Sequence, residues 1–320
     1  MKSFVINGND AGQRFDKFIE KSTCSLPKSL MYKFLRTKRI KLNGKKAEIS
    51  TRINEGDIVE MYIPDEFFIP SEEKSELEKA MRIKVRPDII YEDENILLAN
   101  KPAGMSCHPD EKQKDGTLID IIKAYLIYEG KYIPEDENSF SPSLCNRLDR
   151  NTCGMVICAK NAPALREMNE IIKNRHIEKR YSARVHGRPE KKHDILKNYL
   201  LKNSAENIVT VFDKPVKGAL TAVTEYSVVS YDKKNDESVL DILLHTGRTH
   251  QIRAQLAHIG HPLVGDGKYA VNREDRKRGL KHQMLRAESV KFLLRGGDYP
   301  QLSYLDGKKF SLPDEHTSEG

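Results

Sequence analysis

The run Met155-Val156-Ile157-Cys158-Ala159 carries no charged or hydroxyl side chain and includes two β-branched residues. A strand of that kind has no face to give to water, so it belongs inside a sheet covered on both sides. Directly ahead of it stand Arg147, Asp149 and Arg150 around Leu148, followed by Thr152 and Gly154. Guanidinium groups beside a carboxylate favour its ionised form. Asp149 therefore reads as an anion at neutral pH, a candidate nucleophile or base rather than a proton donor. The plainer alternative is a turn of Asp149 with Thr152 and Gly154, the arginines pairing for structural reasons. On these residues alone that alternative is the stronger.

The 320 residues suggest one large domain with a small one, or two of middling size. With 38% hydrophobic and 32% charged residues the chain reads as globular. No apolar run reaches spanning length and no basic-then-apolar segment opens the chain, which argues against a membrane or secreted protein. Five cysteines form no paired framework, as expected of reduced thiols in a cytoplasm. The net charge is +7, yet residues 1–65 hold 13 basic and 8 acidic side chains. That asymmetry points to a polyanion contacted by the N-terminal part.

Lys28–Lys46 contains eight basic residues and no acid. Leu26–Arg36 reads as a helix with Ser25 as its cap and Pro27 in its first turn. Leu30 with Phe34, and Met31 with Leu35, give its inward face. An earlier helix over Arg14–Lys21 turns Phe15, Phe18 and Ile19 inward. Asn43-Gly44 between Arg39–Leu42 and Lys45–Ile49 is a strong hairpin signal, and Gly56-Asp57 leads into a strand over Ile58–Ile63. The patterns Arg14-Phe15-Asp16-Lys17-Phe18, Lys38-Arg39-Ile40-Lys41-Leu42-Asn43-Gly44 and Gly56-Asp57 resemble the RNA-binding module named after ribosomal small-subunit protein four. That resemblance implies phosphate contacts from the basic residues of this stretch, here Lys28, Lys33, Arg36, Lys38, Arg39 and Lys41. Pro64, Pro70 and the acidic stretch Ser71–Lys79, which permits a solvated helix, mark a linker. The expected division is a basic domain over 1–65, a linker over 66–86 and a larger domain over 87–320.

In the larger domain, Ile89–Tyr91 and Ile96–Ala99 read as paired strands leading to a tight Asn100–Gly104 loop. Residues 110–116 and 129–142 read as loop. Asn161–Arg175 reads as a helix capped by Asn161, with Leu165, Met168 and Ile172 on one face. Ile177–Val185 alternates, placing Tyr181 inward with a hydroxyl that needs a partner. Thr221–Val229 and Val239–Thr246 are further strands. Gly247–Arg253 begins a helix at Gly247 or Thr249; Ile252, Leu256 and Ile259 form its stripe, and Gly260 with Pro262 ends it. Arg253 lies beside that stripe, its stem half buried and its head free to reach a cleft. His250, His258, His261, Cys145, Cys153 and Cys158 supply metal-ligand types, but no metal-binding spacing accompanies them. Neither glycine-rich phosphate loop occurs, which leaves a nucleotide cofactor unsupported.

Four blocks in order resemble RluA-type pseudouridine synthases: Lys101-Pro102-Ala103-Gly104; Arg147-Leu148-Asp149 with Thr152 and Gly154; Lys179-Arg180-Tyr181; and Gly247–Arg253 continued by His261–Asp266 and Tyr269. The family usually has His where this chain has Asn146 and Ser where it has Cys153. The resemblance implies an α+β catalytic domain with a mixed, mainly antiparallel sheet and flanking helices. It implies isomerisation of uridine to pseudouridine in RNA by base flipping, with no metal or organic cofactor. Asp149 would be the catalytic carboxylate, Arg253 its ion-pair partner and Tyr181 the ring stacked on uracil. Arg147 would fill the space of the flipped base. The partner implied is large-subunit (23S) ribosomal RNA or its precursor particle, with the protein acting as a cytoplasmic monomer. Two rivals remain. One is a non-catalytic RNA-binding or ribosome-assembly factor, favoured by Asn146 and by Leu285-Arg286-Ala287 in place of Leu-His-Ala. The other is an Asp-dependent hydrolase, which needs a second carboxylate that no motif supplies.

Overall fold

The computed structural model describes residues 1–68, 76–203 and 205–313. The N-terminal part comprises β1 (Lys2–Val5), α1 (Phe15–Ser22), α2 (Lys28–Arg36), β2 (Ile40–Leu42) and β3 (Ile58–Met61), with an antiparallel sheet ordered β1-β3-β2. Phe15, Phe18 and Ile19 of α1 and Met31, Phe34 and Leu35 of α2 bury against Ile40, Val59 and Met61. The chain stays in this core as far as Phe68.

Three local expectations are corrected here. Pro27 occupies the N-cap position of α2 with no side-chain cap, and the Ser25 hydroxyl instead faces the Glu66 carbonyl. Asn43 and Gly44 do turn the chain, at φ 51° and 71°, and Lys45 bridges Leu42 across the turn, but the arm ends there and residues 46–49 form no strand. The Asn43 side chain accepts the Ile58 N–H and donates to Asp57, tying the turn to β3, the strand that pairs with β2. Pro70 and Ser71–Ser75 lie outside the described residues. The rest of the acidic stretch forms α3 (Glu76–Ala80), whose Glu76 turns inward to accept from Lys123 and Tyr132 rather than facing solvent.

The larger part runs β4 (Asp88–Glu92), β5 (Ile96–Lys101), α4 (Leu118–Tyr128), β6 (Ser143–Leu144), β7 (Cys153–Ala159), α5 (Ala162–Lys173), β8 (Ile177–His186), β9 (His193–Asn203), β10 (Ile208–Phe212), β11 (Leu220–Asp232), β12 (Glu237–Leu244), α6 (Gln251–His258), α7 (Arg273–Lys277), β13 (Leu285–Phe292) and β14 (Lys309–Ser311). Its main sheet is ordered β10-β9-β11-β12-β8-β13-β7-β5-β4, and among its described pairs only β13–β7 is parallel. This is an α+β fold around a mixed, mainly antiparallel sheet.

β7 is apolar throughout because it feeds two cores. Val156 and Cys158 join Tyr181, Ala183, Val185 and the inner residues of α4 and α6 on one face. Met155, Ile157 and Ala159 join Met168, Ile171 and Phe292 on the other. The helix α4 falls in a stretch that periodicity leaves unassigned, since five of its first seven residues are buried. Its start is set by Asp120, whose carboxylate accepts the Thr117 N–H and hydroxyl. Asn161 caps α5 through the Ala164 N–H, while Ala164 and Ile171 rather than Leu165 and Ile172 are its fully buried residues.

The two parts meet through polar side chains. Fully buried Asp10 accepts from Asn138 (2.7 Å) and Ser139 (2.5 Å), and Asn9 donates to Glu137 and accepts the N–H that opens α5. All five cysteines are free, and no helix among the described residues is long and apolar enough to cross a membrane.

The β7–β13 contact depends on Gly154. At φ 113° a side chain there would put its Cβ 2.4 Å from the Ala287 carbonyl oxygen and 2.5 Å from its nitrogen. Gly154→Ala must force the two strands apart, and a loss of roughly 3 kcal/mol is expected from overpacking and backbone strain together. Urea unfolding of the full chain checks this; an unchanged midpoint would contradict the close approach.

Candidate active site

Asp149 lies on the loop that delivers the chain into β7. A turn closes behind it, with the Thr152 N–H donating to the Asp149 carbonyl at 3.0 Å. The neighbouring loop after β5 is stapled to this turn by Lys101, which is fully buried. Its ammonium donates to the carbonyls of Pro102 (3.0 Å), Met105 (2.8 Å) and Arg150 (2.9 Å), and the Gly104 N–H also donates to Arg150 (3.0 Å). Burial pulls the Lys101 ammonium down to about 8.

The counter-ion of Asp149 comes from far along the chain. Arg253, in the first turn of α6, donates Nη1 to Asp149 Oδ2 at 2.8 Å. Its Nε and Nη2 grip Asp266 side-on at 2.8 and 2.9 Å, a bidentate pairing that fixes the guanidinium plane. Asp266 is fully buried and also accepts the N–H groups of Lys268 and Tyr269. Burial pushes the Asp266 carboxyl up, but the Arg253 bonds and charge, with those two N–H groups, outweigh it and leave it below the ordinary range. Burial likewise pulls Arg253 down, and Asp266 and then Asp149 more than restore it.

The flanking arginines do not play the part expected from sequence. Arg150 turns away to grip Asp110 at 2.6 and 2.9 Å, and Arg147 is exposed. Successive side chains on an irregular loop point in different directions, so sequence neighbours need not be spatial ones. Asn146 faces the sheet, accepting the Ile157 N–H at 2.8 Å.

Tyr181 projects inward from β8 and is 7% exposed. Burial, and then the charge of Asp149, push its phenol well above the ordinary value, so it stays protonated. Among the described residues its hydroxyl has no hydrogen-bond partner, contrary to the expectation of one. The Asp149 side chain is 29% exposed, so the carboxylate opens outward beside a buried aromatic ring.

His250, Asp266, Tyr269 and Lys101 complete the surroundings; from sequence, His250 is weighed only as a metal ligand. His250 holds α6's N-cap position in the left-handed region (φ 51°, ψ 21°), where the sequence places Gly247 or Thr249 at the helix start. Its Nδ1 lies 2.9 Å from the Tyr269 hydroxyl and its Nε2 3.8 Å from Asp149 Oδ2. The only signal for His250, Asp266 and Tyr269 is their place in the block matched to Arg253, and for Lys101 its place in the Lys101–Gly104 block.

The histidines and cysteines weighed as metal ligands do not converge. His258 meets Asp213, and His261 faces the His186 carbonyl. A different trio, His186, Glu237 and Asp275, has ligand atoms within 4.8 Å of one another. Arg278 pairs with both of its carboxylates and Arg184 stands 3.8 Å from Glu237, so guanidinium groups already meet the charge a cation would. Nor does Asp266 offer a second catalytic carboxylate, being bound on both oxygens.

In the N-terminal part, Lys28, Lys33, Arg36, Lys38 and Arg39 are exposed on α2 and the turn after it. Lys28 stands 3.2 Å from Glu20, and the half-buried Lys41 places its ammonium 5.0 Å over the Tyr62 ring.

Residues 95–258 match the RNA pseudouridylate synthase family. An uncharacterized RNA pseudouridine synthase of Mycoplasma genitalium is 34% identical, covering 90% of this chain and 88% of its own length. Ribosomal large subunit pseudouridine synthase C of Escherichia coli is 30% identical over 91% of this chain and 88% of its own. Human RNA pseudouridylate synthase domain containing 1 shares the fold, with a TM-score of 0.55 at 21% identity over 76% of this chain and 86% of that one. Sheet, sequence and relatives agree: the chain belongs to the RNA pseudouridylate synthase family and is an RNA pseudouridine synthase, an isomerase.

Proposed function

We propose that this isomerase acts on uridine in large-subunit (23S) ribosomal RNA through Asp149, with the target nucleotide flipped out of its stack. The observation that carries the reading is the Asp149 carboxylate held at 2.8 Å by a guanidinium that buried Asp266 has locked in place. The substrate assignment is supported by the 30% identity to ribosomal large subunit pseudouridine synthase C and by the basic N-terminal part.

The reaction is a redistribution of bonds within one nucleotide. The bond from ribose C1′ to uracil N1 breaks, the uracil turns, and C1′ joins C5; the C5 proton is lost and N1 gains one. Nothing is oxidised or hydrolysed. Such a reaction needs a positioned carboxylate and a surface that keeps the freed base from diffusing away. Asp149 is the reacting group in this scheme, on either the ribose or the base. Tyr181 stacks on the uracil, and for the late proton removal its phenol, protonated in the free protein, first has to give up its own proton. Arg253 holds Asp149, and exposed Arg147 occupies the gap left in the RNA. Flipping costs a few kcal/mol of stacking, which phosphate contacts have to offset. Residues 1–65 supply them through Lys28, Lys33, Arg36, Lys38, Arg39 and Lys41, joined by a linker over 66–86 to a catalytic domain over 87–320.

Asp149→Asn keeps the shape of the side chain and removes its charge. Turnover on ribosomal RNA transcripts is expected to fall by about three orders of magnitude or more with the fold retained, as read by pseudouridine mapping and circular dichroism. Normal turnover in this variant removes Asp149 from the chemistry. The combined change Lys33→Gln, Arg36→Gln, Lys38→Gln is expected to flatten the dependence of log K on log[salt] by roughly 0.7–0.9 for each phosphate the protein no longer neutralises. Filter binding across a salt series measures it, and an unaltered slope takes this surface out of the RNA interface.

A further inference from the structure

We propose that His250 is a positioning residue for Asp149, its ring proton fixed on Nε2 by Tyr269 and aimed at the carboxylate oxygen that Arg253 also holds. The inference deepens the proposed function and rests on Asp149 being the reacting group.

The direction of the proton follows from counting donors. The Val209 N–H, on β10, donates to the Tyr269 hydroxyl oxygen at 2.9 Å. The hydroxyl's own proton then needs an acceptor, and among the described residues the one within reach is His250 Nδ1, at 2.9 Å. A ring nitrogen that accepts there carries no proton, so in the neutral imidazole the proton sits on Nε2. Electrostatics lead independently to the same tautomer. Nε2 faces the Asp149 carboxylate at 3.8 Å, where an N–H is attracted and a lone pair repelled.

The surroundings keep the ring neutral and in place. His250 is buried, and the charged groups around it are Asp149, Asp266, Arg253 and Lys268. Burial lowers its proton affinity most; the pull of Asp149 does not overcome that, and the charges of Arg253 and Lys268 add to the lowering. Tyr269 is held in turn by Arg253, whose guanidinium lies 5.3 Å from its ring centre, and it meets the imidazole edge-on. The backbone of His250 lies in the left-handed region, which non-glycine residues other than Asn, Asp and His seldom adopt.

The consequence for Asp149 is an asymmetry. Arg253 Nη1 at 2.8 Å and His250 Nε2 at 3.8 Å both address Oδ2. Among the described residues no donor is bonded to Oδ1. The carboxylate is thus held by one oxygen and presents the other to the substrate. The 3.8 Å approach is longer than a hydrogen bond and shortens when the substrate closes the site.

The test uses the full chain and two readouts. In ¹⁵N-labelled protein at neutral pH, long-range ¹H–¹⁵N couplings are expected to show His250 as the Nε2–H tautomer, its signals assigned by their loss in His250→Asn. In Tyr269→Phe, where only the Asp149 charge still favours that tautomer, the Nε2–H population should fall below the wild-type value. Single-turnover conversion of a ribosomal RNA transcript that the wild-type protein modifies gives the second readout. His250→Asn tolerates the left-handed backbone but brings no N–H from position 250 to Asp149, and should lose about 10-fold or more in rate at unchanged RNA affinity. His250→Gln extends an amide N–H to nearly the position of Nε2 and should recover most of the rate. A wild-type Nδ1–H tautomer, or a wild-type rate in His250→Asn, overturns the proposal. If the wild-type protein converts no uridine in any ribosomal transcript, the substrate reading fails while the tautomer measurement still decides the role of His250.

Discussion

The three-way contact of Arg253 with Asp266 and Asp149 sets the geometry of everything around it. A guanidinium is planar, so once Nε and Nη2 are committed to Asp266, the direction of Nη1 is no longer free. That direction fixes where an oxygen of Asp149 sits. Burying such a pair is a poor source of net stability, because both ions lose their water. Its value here is positional: fully buried Asp266, also bonded by the N–H groups of Lys268 and Tyr269, aligns the arginine from behind. A lysine at 253 could supply charge but not this alignment.

The alignment depends in turn on backbones packed closer than side chains permit. At Gly154, Ala287 of β13 lies against the start of β7, just after the Asp149 turn. At Gly265, φ 79°, a Cβ would come within 2.2 Å of the His282 carbonyl oxygen, and the next residue is Asp266. Both glycines adjoin site segments, where a shift of an ångström would part donor from acceptor. Lys101 does a related task beside the Asp149 turn, gathering three carbonyls from two loops onto one ammonium.

Legibility from sequence follows the physics of each element. Ile177–Val185 is readable because a half-buried strand imposes period two, and β8 shows that alternation in its burial. The cap of α5 is readable because Asn161 bonds locally to Ala164. The helix α4 is not, since a helix buried on most sides has no polar stripe to reveal its period. The strands β9, β10 and β13 go unassigned, and the return arm expected after Asn43-Gly44 stops at the Lys45 bridge, β2 taking as its strand partner β3, which only tertiary pairing selects. The site divides in the same way. Asp149 stands out in its own stretch, but the residues alone assign its cations to Arg147 and Arg150. The cation in contact is 104 positions away in sequence, and only resemblance to known enzymes supplies it. Asp266 and His250 gain their meaning from contacts that no spacing encodes.

Under the proposed reading the protein faces an electrostatic conflict, since it would offer a carboxylate to a polyanion. Left alone, Asp149 would repel the phosphates that bring the nucleotide in. The charges around it answer this at two ranges. Within the site, Arg253 stands against Asp149 and Asp266, while Lys101 and Lys268 add positive charge close by, so the carboxylate is not an isolated anion. Farther out, exposed Arg147 on the Asp149 loop and the basic surface of α2 would attract phosphate over about a Debye length. The two ranges call for different side chains. Close in, fixed geometry favours a buried arginine gripped by a partner; farther out, orientation matters little and solvated lysines suffice. The distribution of the +7 charge, with 13 basic against 8 acidic residues in the first 65, is consistent with that division. Attraction would be delivered by the N-terminal surface, and alignment by a few buried groups around one carboxylate.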